Sequence, residues 1–243
     1  MTALQKRWNI LKFKRLESTN TTALEWLKRN PNLNHSVIVA QSQEKGRGQR
    51  GTHWQDSEGK SLLMTLVIQP SQRKVEDRFT LSMIFSLAIH RALQDFSISS
   101  EIKWPNDVIM NRKKVGGILI ETGIRGNFIS HALFGLGLNL QNQPFEIPYA
   151  SSVEKESGKL ITVDDFLENL EFAFKALQHK TFEELKPIYL NHLIGYNATE
   201  TFESQGLTFD GSIVDLEETG EIWIKKNSGE KLRYSFKEVK FIY

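Results

Sequence analysis

Gly46-Arg47-Gly48-Gln49-Arg50-Gly51 has the spacing G-x-G-x-x-G, and its flanks decide the fold. A dinucleotide-binding turn runs from a strand straight into a helix, whose N-terminus holds a pyrophosphate. Here the short apolar run Val37-Ile38-Val39 is separated from the glycines by Gln41-Ser42-Gln43-Glu44-Lys45. The residues that follow, Thr52-His53-Trp54-Gln55-Asp56-Ser57-Glu58-Gly59, are polar and carry no apolar period. No helix opens there, so the segment reads as a loop carrying Arg47 and Arg50, with Lys45 beside them. Glycines let backbone N–H groups approach an anion, and guanidinium forks can grip it. Such a loop is expected to stay mobile until the anion arrives.

Outward from the loop, Ile10–Leu16 reads as a strand. Ser18-Thr19-Asn20-Thr21-Thr22 is a cluster of capping groups before the helical pattern Ala23, Leu24, Trp26, Leu27, which Asn30-Pro31-Asn32 ends. Ser36–Ala40 and Ser61–Gln69 are strands, the second apolar enough to be central. Phe79 to Leu93 marks a buried helix, and Glu101 to Leu140 a run of strands joined by tight turns. Val163–Leu177 and Phe182–Leu193 are further helices. From about Asn197, short alternating strands punctuated by Gly206, Gly211, Gly220 and Gly229 indicate a small β-barrel. The expectation is an α+β chain: a mixed β-sheet flanked by helices over 1–195 and a small C-terminal β-barrel over 196–243.

Composition excludes several functions. A net charge of +2 over 243 residues is too small for non-specific nucleic-acid binding, so any anion site is local. With no cysteine there is no disulfide, thiolate metal site or cysteine nucleophile, and the six histidines lack metal-ligand spacing. No signal core or membrane-length apolar run is present. A cytoplasmic enzyme or binding protein, without membrane attachment, is expected.

The second informative segment is Lys103-Trp104-Pro105-Asn106-Asp107-Val108-Ile109-Met110, which Pro105 keeps from being helical. A turn over 111–113 leads into Lys114-Val115-Gly116-Gly117-Ile118-Leu119-Ile120-Glu121. That register sets Met110 against Lys114 and Asn106 against Ile118. Lys114 and Asn106 then share a face, about 13 Å apart at roughly 3.3 Å per residue. A lysine at one end could neutralise a phosphate while the Asn-Asp pair holds a metal or hydroxyls at the other. Plainer readings stand beside these: Gly116-Gly117 as a bulge, Ser18-Thr19-Asn20 as a helix cap, Gly135-Leu136-Gly137-Leu138-Asn139 as close strand packing, and Trp54 as a cover for the core.

Taken together, Gln43-x-x-Gly46-Arg47-Gly48-x-Arg50-Gly51-x-x-Trp54, Lys103-Trp104-Pro105-Asn106-Asp107, Lys114-x-Gly116-Gly117-Ile118-Leu119-x-Glu121 and Gly135-x-Gly137-x-Asn139 resemble the biotin–protein ligases in order and approximate spacing. Ser18-Thr19-Asn20 also matches, and the resemblance runs over residues 8–243. It implies a class II synthetase-like catalytic sheet and a two-step reaction. Biotin is activated by ATP as biotinyl-5′-AMP, then passed to one lysine of the biotin carboxyl carrier part of a carboxylase. The resemblance assigns biotin to Ser18, Thr19, Asn20, Gln43, Gly46, Arg47, Gly48, Gln49, Lys114 and Gly116. It assigns ATP to Arg50, Trp54, Asn106, Asp107, Lys114 and Asn139, Mg²⁺ to Asp107, and the catalytic charges to Lys114 and Arg47. The chain departs from the family in having Gln49 where many members carry a further arginine. Gln141–Ala150 offers no obvious aromatic partner for the adenine. The catalytic pattern begins by Trp8, leaving no room for an N-terminal helix-turn-helix, so no operator binding is expected; a homodimer is allowed. A lipoate–protein ligase is the nearest enzymatic alternative, and a non-catalytic ligand- or nucleic-acid-binding module the alternative from another class.

Overall fold

A computed structural model describes residues 7–30 and 32–242. Pro31, read above as part of a helix stop, and the side chain of Arg50 lie outside the described residues. β1 (Asn9–Leu16) passes through α1 (Thr19–Arg29) to β2 (Ser36–Gln43), its parallel neighbour; a parallel pair needs such a crossover. β3 (Ser61–Ile68) is buried at every position, as its mostly apolar run predicts. α2 (Arg78–Gln94) follows. β4 (Glu101–Lys103), β5 (Asp107–Met110), β6 (Lys113–Arg125) and β7 (Phe128–Asn139) then complete a seven-stranded sheet in the order β1-β2-β3-β7-β6-β5-β4.

After α3 (Val153–Ser157), α4 (Val163–Leu177) and α5 (Phe182–Asn191) begin at Thr162 and Thr181, whose hydroxyls accept from backbone N–H groups of the first turn. α4 lays Phe174 edge-on against Phe85 of α2 and Phe134 of β7. These helices cover one sheet face. On the other, α1 buries Ala23 and Leu27 against Ile38, Val67 and Leu133.

β8 (Glu200–Ser204), β9 (Leu207–Leu216), β10 (Ile222–Lys226), β11 (Lys231–Tyr234) and β12 (Lys240–Phe241) form an antiparallel sheet in the order β11-β10-β9-β8-β12. This is the barrel-like C-terminal module; among the described residues its two end strands share no ladder. Phe202, Phe209, Tyr234 and Phe241 stack within it. Trp104 joins the two sheets: its Nε1 donates to the Gly220 carbonyl at 2.8 Å and its ring stacks on Phe236.

β4, which leads into Trp104, is held from behind. Ile102 N donates to the His192 carbonyl at 2.8 Å, and the His192 ring stacks on His90 of α2 at 3.8 Å. Burial, reinforced by the charge of His192, pushes the His90 pKa down to about 4. Unfolded, this imidazole takes up a proton below about 6.5; folded, it resists until about 4. Stability is therefore complete above pH 6.5 and is lost as pH falls toward 4, by about 3 kcal/mol from this group. His90→Gln is expected to flatten that part of the stability curve, measured by urea unfolding at pH 7, 5.5 and 4.5; an unaltered slope would remove His90 from the account.

Candidate active site

The first turn of α1 faces the sheet. Ser18 occupies the N-cap, but its side chain makes no capping bond. Thr19 donates from its backbone N and its hydroxyl to Gln43 Oε1, at 2.7 and 3.1 Å. Thr65, fully buried in β3, places its hydroxyl 2.5 Å from Asn20 Oδ1 and 2.9 Å from Thr19 Oγ1. With its oxygen so occupied, Asn20 donates through Nδ2 to Glu121 Oε2 at 2.8 Å. The triplet is thus a buried polar cluster rather than a side-chain cap, and the Thr19 hydroxyl and the Asn20 and Gln43 amides have set orientations. β7 makes room for it at Gly135, where a Cβ would sit 2.5 Å from Asn20 Oδ1.

The glycine loop is folded back as a short hairpin. Gly48 N donates to Thr52 O at 2.7 Å and Trp54 N to Gly46 O at 2.9 Å, around a single 3-10 turn at Gln49–Gly51. No helix follows, as the flanking residues predict. Lys45 turns away to Glu17, at 2.9 Å. Arg47 forms a fork with Glu121, Nη2 to Oε1 at 2.8 Å and Nη1 to Oε2 at 3.3 Å.

Trp54 lies on glycine. Gly117 of β6 and Gly137 of β7 are register partners; a Cβ at Gly117 would come within 3.0 Å of the indole, and one at Gly137 would overlap it. The close approach expected of these glycines is thus used by a side chain of the loop. Gly116 faces the opposite way, against Val108 and Leu138, so Gly117 rather than Gly116 borders the site. Gly46 sits beneath the Trp54 backbone. Gly137→Ala is expected to cost about 2 kcal/mol of stability, because the added methyl must displace a packed ring. An unchanged urea midpoint would show that Trp54 moves aside freely.

The hairpin after Asp107 differs from its expected form. The turn has two residues, Asn111 and Arg112, both at positive φ (47° and 65°), and Met110 pairs with Lys113 rather than Lys114. A bulge at Val115 then restores the register, so that Asn106 meets Ile118 as expected: Ile118 N donates to Asn106 O at 2.9 Å, and Asn106 Nδ2 to Ile118 O at 2.7 Å. The bulge re-aims Lys114. Its Nζ lies 2.6 Å from Asp107 Oδ1 and 5.8 Å from the centre of the Trp54 ring. Across β4, burial pulls the Lys103 pKa down, with Asp107 opposing and Lys114 adding to the effect.

Asn139 ends β7 in a knot. Its Oδ1 accepts from Ser61 Oγ and Gln143 Nε2, each at 3.2 Å, and its Nδ2 donates to Ser151 O at 2.9 Å. The segment so anchored walls the site. Lys114 N donates to Tyr149 O, and Ser151 N to Lys114 O. The segment does carry aromatic rings to the site, correcting the sequence reading: Phe145 and Tyr149 both line it.

Ser18, Thr19, Asn20, Gln43, Arg47, Gly48, Gln49, Trp54, Asn106, Asp107, Lys114 and Asn139 border one cavity of about 350 Å³. One end is hydrogen-bonding, with the Arg47–Glu121 pair at its edge, and Lys114 and Asp107 also line the cavity. Thr65, Phe145 and Tyr149 are beyond the reach of the sequence reading, and Glu121 enters it only as a motif residue. A threonine in an apolar strand carries no spacing signal, the motif that ends in Glu121 gives that residue no role, and Phe145 and Tyr149 sit in a segment without periodicity.

The profile of the biotin/lipoate A/B protein ligase family matches residues 12–139. The bifunctional ligase/repressor BirA of Bacillus subtilis is 26% identical over 230 residues, covering 90% of this chain and 70% of that protein. The biotin–[acetyl-CoA-carboxylase] ligase of Paracoccus denitrificans is 35% identical over 173 residues, covering 67% and 71%. Among solved structures, the biotin protein ligase of Aquifex aeolicus in complex with biotin and ATP superposes with a TM-score of 0.74 at 23% identity, over 96% of this chain and 98% of that one. The Leishmania major biotin protein ligase in complex with biotinyl-5-AMP gives 0.65 at 22%, over 93% and 98%. These structures share the fold.

Proposed function

The chain belongs to the biotin/lipoate A/B protein ligase family and is a ligase, and from that premise we propose that it activates biotin as biotinyl-5′-AMP and transfers it to a lysine of a biotin carboxyl carrier domain. One observation carries this reading: a directed polar cluster and a lysine–carboxylate pair open into a single cavity. Biotin's ureido ring needs several directed donors and acceptors; Thr19, Asn20 and Gln43 supply oriented ones and Ser18 a further hydroxyl, with the loop Gly46–Arg50 folding over it. ATP takes the other end, near Trp54, Asn106, Asp107 and Asn139, with Phe145 and Tyr149 available to the base and Arg50 proposed as a further ATP contact.

In the first step a carboxylate oxygen of biotin attacks the α-phosphorus and pyrophosphate leaves. Two anions must meet, and Lys114 and Arg47 offset their repulsion at fixed positions. Mg²⁺ suits Asp107 together with the substrate's phosphate oxygens, since this ion often takes only one or two carboxylates from protein. Among the described residues no cluster of three or more acidic, histidine or cysteine groups could hold it without the substrate. In the second step the acceptor amine attacks the acyl carbon and AMP leaves with the C–O bond pair. The loop's closure keeps water from the mixed anhydride meanwhile.

We further propose that 1–195 and 196–243 act as catalytic and accessory domains, and that the protein works in the cytoplasm; no described helix is long and apolar enough to cross a membrane. Incubation with biotin, ATP and Mg²⁺ is expected to yield biotinyl-adenylate by mass spectrometry and biotin-dependent ATP–pyrophosphate exchange. Exchange that requires lipoate and ignores biotin would overturn the substrate assignment, and ligand retention without pyrophosphate release would make the chain a binder.

A further inference from the structure

We propose that Glu121 is a positioning residue of the reaction, holding the Arg47 guanidinium at the cavity mouth and orienting it from Asn20 at the inner end. This rests on the ligase reading above. Glu121 lies on β6, two strand positions beyond Leu119 and four beyond Gly117, so alternation brings it to the face that carries the site. Its Oε2 serves two donors from different elements, Asn20 Nδ2 at 2.8 Å and Arg47 Nη1 at 3.3 Å, while Oε1 takes Arg47 Nη2 at 2.8 Å.

The chain of constraint runs outward from the core. The buried Thr65 hydroxyl claims Asn20 Oδ1, which leaves the Asn20 amide to donate, and Glu121 receives it. With one oxygen so fixed, the carboxylate plane is set, and a bidentate fork transmits that plane to the guanidinium. Glu121 takes two of the five N–H donors an arginine has, so Arg47 can be held and still present N–H groups to an anion. The pair is half-exposed, at 47% for the Arg47 side chain and 32% for that of Glu121. Its contribution is therefore direction more than raw attraction.

Glu121→Gln keeps the shape and one acceptor for Asn20 but loses the fork. Two measurements test the role. In the protein without ligands, the amides of Gly48 and Trp54, which close the loop hairpin, are expected to exchange hydrogen faster in the variant; unchanged exchange would overturn the proposal whatever the substrate is. With biotin, ATP and Mg²⁺, biotinyl-adenylate is expected to leave Glu121→Gln about fivefold faster than wild type. In an Arg47→Ala background the same substitution is expected to change release by less than about twofold, because its effect passes through Arg47. Equal factors in both backgrounds would overturn the coupling. If wild type forms no adenylate, the ligase reading fails and the exchange measurement alone decides the role of Glu121.

Discussion

Lys114→Ala is expected to slow biotinyl-adenylate formation by about 10²- to 10³-fold, the range for removing one fixed electrostatic donor from a site where charge develops. The size follows from placement. Lys114 Nζ stands 2.6 Å from Asp107 Oδ1, in the cavity lining, and the bulge at Val115 aims it there. The backbone of Lys114 meanwhile bonds Tyr149 and Ser151, and alanine retains both bonds. The fold should survive, with urea unfolding giving a stability loss of about 1 to 2 kcal/mol, since the lost ion pair is partly buried. Single-turnover mixing followed by acid quench measures the step directly. A near-wild-type rate would show that the amine does not face the reacting anions.

Asn139→Ala is expected to cost about 3 kcal/mol of folding stability. The side chain is 4% exposed and satisfies Ser61, Gln143 and Ser151 together. Removing it leaves buried partners without bonds and frees the segment that carries Phe145 and Tyr149. Urea unfolding gives the stability loss and ATP titration gives the consequence for the wall. Unchanged stability alongside weakened ATP binding would make Asn139 a direct ligand contact instead of an anchor.

Much of the architecture is legible in the chain because its signals are local. β3 is an apolar run long enough to be central, the flanks of the glycine loop forbid a helix, and the apolar period of α4 marks a helix. The hairpin after Asp107 shows where local reading stops. A three-residue turn and a two-residue turn followed by a bulge reach the same Asn106–Ile118 pairing. The residues alone do not separate them, yet the bulge decides where Lys114 points. Site residues that belong to shared motifs converge on one cavity. Thr65, known only through packing, and Glu121, a motif residue without an assigned role, acquire meaning once α1 is laid on the sheet, because they lie 45 and 101 residues in sequence from their common partner Asn20.

Trp104 gives the small C-terminal sheet a consequence beyond its size. Its indole is bolted to Gly220 and Phe236, and three residues later comes the carboxylate that partners Lys114. The tail therefore buttresses the segment that leads to Asp107, and pruning it is expected to slacken that segment, so that adenylate formation and the integrity of the terminal module should fall together.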